Sequence, residues 1–443
     1  MRHAGRIGTA VALAVAAFLL AGVGLLRGAG AQGPSASGRA DAGALSGPVA
    51  ASGMLEQELA SLQGHLRADP TDWRGFASLG LAYVQEARIT ADPTYYPKAE
   101  AALRRSLALN STENHVAPIG MAALASARHE FATALGWGEK AKAIDPYDAS
   151  VYGAIGDAQV ELGRYRSAVA TFQRMIDLRP DLSSWARVSY ARELMGDVPG
   201  AIAAMQRAKV YASDPADAAW ASNQLGELFF GQGHLGRAAA SYRQGVALDP
   251  SFVPPFAGLA KVAWARGDVP EAISRYRDVV ARYPLPEYVI GLGDLYRLTG
   301  RSDLAAQQDG LLRTEETLLA ANGVNLDLEQ ATFDASHGDP AGGLAAAEAE
   351  WARRHSVSVA DALAWALHEN GRDAEAARMA DFAMHLGTQS ATFAFHAGMI
   401  QRSLGHRDRA RALLQRAQTL NPWFSIEYAP VLHRALARLG AGR

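Results

Sequence analysis

A chain of 443 residues is long enough for two or three ordinary domains, or for one elongated array in which each unit touches only its neighbours. With 43 basic and 45 acidic residues, a net charge of -2 and a pI near 6.6, it lacks the positive field that nucleic-acid binding draws on, and no cysteine is present to form a disulfide, a thiolate metal site, a nucleophile or a lipid-modified cysteine. Hydrophobic residues at 49% and charged residues at 20% exclude general disorder, while the bias of the basic residues toward arginine, 38 against five lysines, fits a high-GC genome.

In chain order, Arg2, His3 and Arg6 precede the uncharged "TAVALAVAAFLLAGVGLL" of residues 9–26, and the small-residue motif Ala29-Gly30-Ala31 precedes Gln32. A basic start, an apolar stretch and a small-residue motif form the grammar of an export signal, so residues 1–31 are expected to direct the chain across a membrane. The 18 apolar residues exceed the roughly 7–15 of a cleaved signal and come near the roughly 17 of a spanning helix. Cleavage after Ala31 and retention as an anchor both stay open. In either case the positive flank predicts that the rest lies outside the cytoplasm, with membrane contact through residues 9–26 alone. Residues 32–54, rich in Gly, Ser, Ala and Pro without periodicity, read as a flexible linker.

The next segment, "WRGFASLGLAYVQEA", is a good amphipathic helix, and "YYPKAEAALRRSLALN" is its partner. Between them "RITADPTYYP" predicts a turn about seven residues longer than those that follow. Tyr95 and Tyr96 there are either contact residues or a hydrophobic staple onto the second helix.

From here a ladder of turn glycines runs along the chain: Gly163, Gly196, Gly233, Gly267, Gly300, Gly338, Gly371 and Gly405, at steps of 33 to 38 residues. In phase with it come an alanine five residues on (Ala168, Ala201, Ala238, Ala272, Ala305, Ala376, Ala410) and, in the best copies, a proline seventeen on (Pro180, Pro250, Pro284, Pro422). Each unit therefore reads as helix, glycine turn, helix, proline stop. Apolar residues recur at helical spacing, as in Tyr152, Ile155, Ala158 and Leu162, then Tyr165, Ala168, Phe172, Met175 and Ile176. Small residues such as Ala154 and Gly156 fall where two helices must approach closely.

Residues 149–180, with Tyr152, Ile155-Gly156, Ala168, Phe172, Met175 and Pro180, resemble the tetratricopeptide repeat, a 34-residue helix pair. The unit from about 219 resembles it through Leu225-Gly226, Phe229, Ala238, Tyr242 and Pro250, and the last through Gly398, Ala410, Leu414, Ala417 and Pro422. The resemblance implies an all-α, right-handed superhelical solenoid of about ten helix-turn-helix units over residues 55–422, capped by a final helix in 423–443. The second helix of the unit from 286 reads on past its expected stop to a break at 321–325, which predicts either a joint between blocks of seven and three repeats or one irregular step in a continuous array.

The resemblance also implies that first helices line a concave groove. Carried over by repeat position, the groove residues are Arg187, Tyr190, Trp220, Asn223, Phe230, Lys261 and Trp264, with Glu193, Gln224 and Glu227 at further groove positions. Trp220 and Trp264 carry a second reading, as packing between adjacent helices. The lysine-asparagine-arginine clamp by which one subset of the family holds a chaperone's terminal carboxylate is not supplied by any three neighbouring units.

No catalytic centre, cofactor site or metal site is expected. The stretches outside the repeats are too short for a catalytic domain, and His368-Glu369, His396 and His406 lack zinc-protease spacing and read as exposed polar helix residues. The expected function is an exported scaffold that binds a protein or peptide in its groove. The alternatives are an accessory subunit of a cell-envelope enzyme or transport complex, and a structural spacer.

Overall fold

The computed structural model describes residues 49–440, with side chains from residue 55. The expected signal, 1–31, and most of the expected linker lie outside the described residues. The linker's last residues, 49–54, are instead the start of a helix, α1 (Val49–Ala68). None of the described helices is long and apolar enough to cross a membrane.

Ten antiparallel helix pairs follow, each a first helix and a second. They are α2 (Trp73–Thr90) with α3 (Tyr95–Leu109), α4 (Val116–Ala127) with α5 (Phe131–Ile144), α6 (Ala149–Glu161) with α7 (Tyr165–Leu178), α8 (Leu182–Leu194) with α9 (Val198–Val210), and α10 (Pro215–Gly231) with α11 (Leu235–Leu248). Then come α12 (Pro254–Ala265) with α13 (Val269–Arg282), α14 (Pro286–Leu298) with α15 (Ser302–Ala321), α16 (Asp327–Ser336) with α17 (Pro340–Arg353), α18 (Val357–Glu369) with α19 (Asp373–Ala383), and α20 (Ala391–Ser403) with α21 (Arg407–Leu420). A last helix, α22 (Tyr428–Gly440), closes the array, burying Leu432 and Leu439. Seven pairs precede the segment 321–325 and three follow it.

All eight ladder glycines have positive φ, between 69° and 110°, which is why glycine recurs there. The pair α4 and α5 has no glycine in its turn, and His129 takes the left-handed position instead at φ 60°. Aspartates begin many helices: Asp197, Asp268 and Asp339 each accept a backbone N–H three residues on, with a proline in the first turn. The first turn differs from its expected form. Helix α2 runs on to Thr90 and ends at left-handed Ala91, so the extra residues are helix and not loop; Tyr96 is buried and Tyr95 packs on Tyr83.

Small residues on the first helices receive large side chains from the second ones. The Leu103 side chain lies between Gly80 and Gly120, and the Tyr242 ring between Gly226 and Gly258; a Cβ on any of the four would overlap it. Phe172 on Gly156 and Leu414 on Gly398 repeat the arrangement. Each such ring or branch is fully buried, worth about 2–3 kcal/mol apiece in apolar transfer. The glycines leave the space that this burial needs.

The array also touches itself at long range. Tyr283 Oη donates to the Arg88 carbonyl at 2.5 Å, Asn325 N–H to the Arg128 carbonyl at 3.0 Å, Thr388 Oγ1 to the Leu194 carbonyl at 2.5 Å, and Asn421 Nδ2 to the Phe230 carbonyl at 2.8 Å. Midway, Val357 N–H donates to Tyr165 Oη at 2.7 Å, and buried Arg354 pairs with Glu161 and Glu350. The paired hydrogen-bonding positions are 191 to 197 residues apart, so the superhelix completes a turn in between five and six units and its second turn rests on the first.

Candidate partner-binding site on the concave face

The seven residues expected to line an open groove lie on α8, α10 and α12, and five of them are buried: Arg187, Trp220, Asn223, Phe230 and Trp264. The reason differs from residue to residue. Arg187 spans to α6, where Nε and Nη2 donate to Asp157 at 2.8 and 2.6 Å, and its guanidinium lies over Gly153. Trp264 meets Trp423 edge-on at 6.0 Å, and the Phe230 carbonyl is held by Asn421, so the segment leading into α22 covers the ends of α10 and α12. Trp220 sits in the same core cluster. Packing, the second reading of the two tryptophans, describes both of them. The groove is thus filled by the chain itself at these five positions.

Tyr190 and Lys261 are half-buried. Lys261 Nζ donates to Glu227 at 2.7 and 2.5 Å, Tyr242 Oη donates to the same carboxylate at 2.8 Å, and the ammonium sits 5.1 Å from the Phe230 ring centre. Glu193 and Glu287 are half-buried as well. Burial, with Glu227 adding, pushes Glu193 up to about 7; burial and Glu227 also raise Glu287, opposed by Lys261. Glu193, Glu227, Lys261 and Glu287 therefore form one electrostatically connected strip over α8, α10, α12 and α14. It holds three carboxylates and one ammonium. Glu287 was not legible as part of it, because a glutamate beside Pro286 in a first helical turn reads as a response to the helix dipole.

Of the histidines expected to be exposed, His406 is exposed and bonds Gln401 at 2.7 Å, and His368 is half-buried and pairs with Asp373. His396 departs from the expectation: it is 1% exposed and pairs through Nδ1 with Asp361 at 2.9 Å under the Trp365 ring. A different histidine joins a cluster that no local motif announces. Asp294 within α14, His337 after α16 and Glu427 before α22 bring ligand-capable atoms within 4.8 Å of one another. His337 Nε2 is 3.3 Å from Asp294 Oδ1, and its Nδ1 bonds the Phe333 carbonyl at 3.0 Å. These residues are 43 and 90 positions apart in sequence, beyond the reach of spacing arguments.

Residues 154–218 and 258–311 match the tetratricopeptide repeat family. No curated protein matches the chain. Among solved structures, Pseudomonas aeruginosa pilF is 18% identical with a TM-score of 0.36, covering 49% of this chain and 94% of its own. The APC/C hetero-tetramer Cut9-Hcn1 is 15% identical with a TM-score of 0.41, covering 88% and 74%. YrrB, described as a TPR protein with an unusual peptide-binding site, is 19% identical with a TM-score of 0.29, covering 41% and 93%. At these values the likenesses carry no argument about function.

Proposed function

We propose that this all-helical chain, whose residues 154–218 and 258–311 match the tetratricopeptide repeat family, is a non-catalytic scaffold, exported through its first 31 residues, that holds a protein or peptide partner against the half-buried strip of Glu193, Glu227, Lys261 and Glu287. The observation that carries this reading is the excess of carboxylates in a part-accessible strip across four first helices, where Glu193 is held up to about 7. A carboxylate poised this way ionises when a cation approaches, so the strip favours a basic segment over an acidic one. The buried Phe230 and Tyr242 rings lie 5.1 and 6.0 Å from the Lys261 ammonium and hold it in place over the strip.

The test is capture from the cell-envelope fraction with the full chain as bait, beside a variant carrying Glu227→Gln and Glu287→Gln whose helicity and melting are first matched to the parent. A partner kept by the parent, lost by the variant and released by raised salt supports the strip. Equal capture by both baits would place binding on the outer face or the rims and sink this assignment. Export is read separately, by N-terminal sequencing of membrane and soluble fractions. An intact Met1 in the cytosol alone would overturn it.

A further inference from the structure

We propose that Asp294, His337 and Glu427 form a binding site for one first-row divalent cation, Zn²⁺ foremost, which ties the segment leading into α22 to α14 and α16. The donor set is one imidazole nitrogen and two carboxylates, which suits Zn²⁺ and leaves a coordination position open. The histidine is already held in a ligand's orientation, since the Phe333 carbonyl accepts from Nδ1 at 3.0 Å and Nε2 is directed at Asp294. The His337 ring is further fixed by stacking on Phe333 at 4.1 Å, and the side chains of His337 and Asp294 are each 3% exposed.

An independent observation points to a ligand. Both carboxylate oxygens of Glu427 are buried and have no hydrogen-bond partner. A buried carboxylate without a partner is strongly disfavoured. A proton on His337 Nε2 does not resolve this, because a single N–H directed at Asp294 leaves Glu427 unserved. Arg297 sits at the edge of the cluster, donating to Asp294 at 3.2 Å and to Asp309, and reaches Glu427 by its charge without a hydrogen bond, while Glu369 adds a further negative charge near Glu427. A dication at the centre of the three ligand atoms satisfies Glu427 and Asp294 together.

The test uses the untagged full chain, stripped with a chelator and titrated with Zn²⁺ against a chromophoric competitor, with Co²⁺ absorption reporting the coordination. Parallel titrations use Glu427→Gln, His337→Gln and, as control, His368→Gln, whose partner Asp373 lies outside the cluster. The expected result is one Zn²⁺ per chain with a raised melting temperature, at least ten-fold weaker binding in the two cluster variants, and no change in the control. Should either cluster variant fail to fold, the parent's stoichiometry and its Co²⁺ spectrum, which must show a nitrogen donor, decide alone. Absence of Zn²⁺ binding by the parent overturns the proposal. So does binding undiminished in the folded variants, or an equal response to Ca²⁺, which would mean carboxylates without the imidazole.

Discussion

Tyr165 and Val357 are joined across 192 residues of chain: the Val357 backbone N–H donates to the tyrosine hydroxyl oxygen at 2.7 Å, in a buried position between the first superhelical turn and the second. Around it lie Arg354 with Glu161 and Glu350, so this rung of the contact between turns is polar and enclosed.

Removing the hydroxyl with Tyr165→Phe leaves the Val357 N–H buried without an acceptor, a cost of about 1–3 kcal/mol. The expected outcome in urea unfolding is a lower midpoint with far-UV helicity retained before the transition. An unchanged midpoint would mean that the two turns do not rest on each other in solution.

A second check separates turn geometry from contact between turns. Gly163 and Gly267 both have positive φ, 73° and 86°, but a Cβ on Gly163 would overlap the His355 carbonyl while one on Gly267 meets open space. Gly267→Ala therefore costs the left-handed strain alone, about 1 kcal/mol, and Gly163→Ala costs that plus the displacement of the second turn, about 1–3 kcal/mol more. Equal losses in paired thermal melts would contradict the stacked arrangement.

Within one turn, the Tyr242 ring between Gly226 and Gly258 gives a third prediction. Either glycine changed to alanine pushes on a fully buried ring and destabilises by about 1–3 kcal/mol. Because both substitutions displace the same ring, the double variant loses less than the two single losses added together. Strict additivity in a double-mutant cycle would mean that the ring is not shared.

The fourth concerns pH. Glu193 is raised from 4.5 to about 7, so the folded chain holds a proton there that the unfolded chain has released. Stability from this group is full below pH ~4.5 and declines as pH rises to about 7, by roughly 1–3 kcal/mol given its partial exposure. Glu193→Gln removes the decline: the variant equals the parent at low pH and melts higher at pH 8. A variant no more stable than the parent at pH 8 would refute the burial of this charge.

The repeat ladder was legible because a left-handed turn leaves a local mark, a glycine, at nearly every unit, and a close helix approach leaves another. His129 broke the first mark in the α4–α5 turn: its ring Nδ1 donates to the Asn325 carbonyl at 2.7 Å, a contact 196 residues away that glycine could not make. The concave residues were placed on the right helices, yet their burial was hidden for the same reason. Asn421 and Trp423, which cover Phe230 and Trp264, lie more than 150 residues further along the chain. The Asp294, His337 and Glu427 cluster depends on curvature, to which periodicity is blind.

The self-contact of the superhelix bears on how such a protein can change length. An open solenoid gains or loses a unit at modest cost, since each unit knows only its neighbours. Here the partners Arg88 and Tyr283, Tyr165 and Val357, Phe230 and Asn421 are held in register by the units between them. Deleting one internal unit would present Tyr165 with the wrong rung, as a missing thread jams a screw. Repeat number is then open to variation at the ends of the array, and the interior must change by a whole turn or not at all.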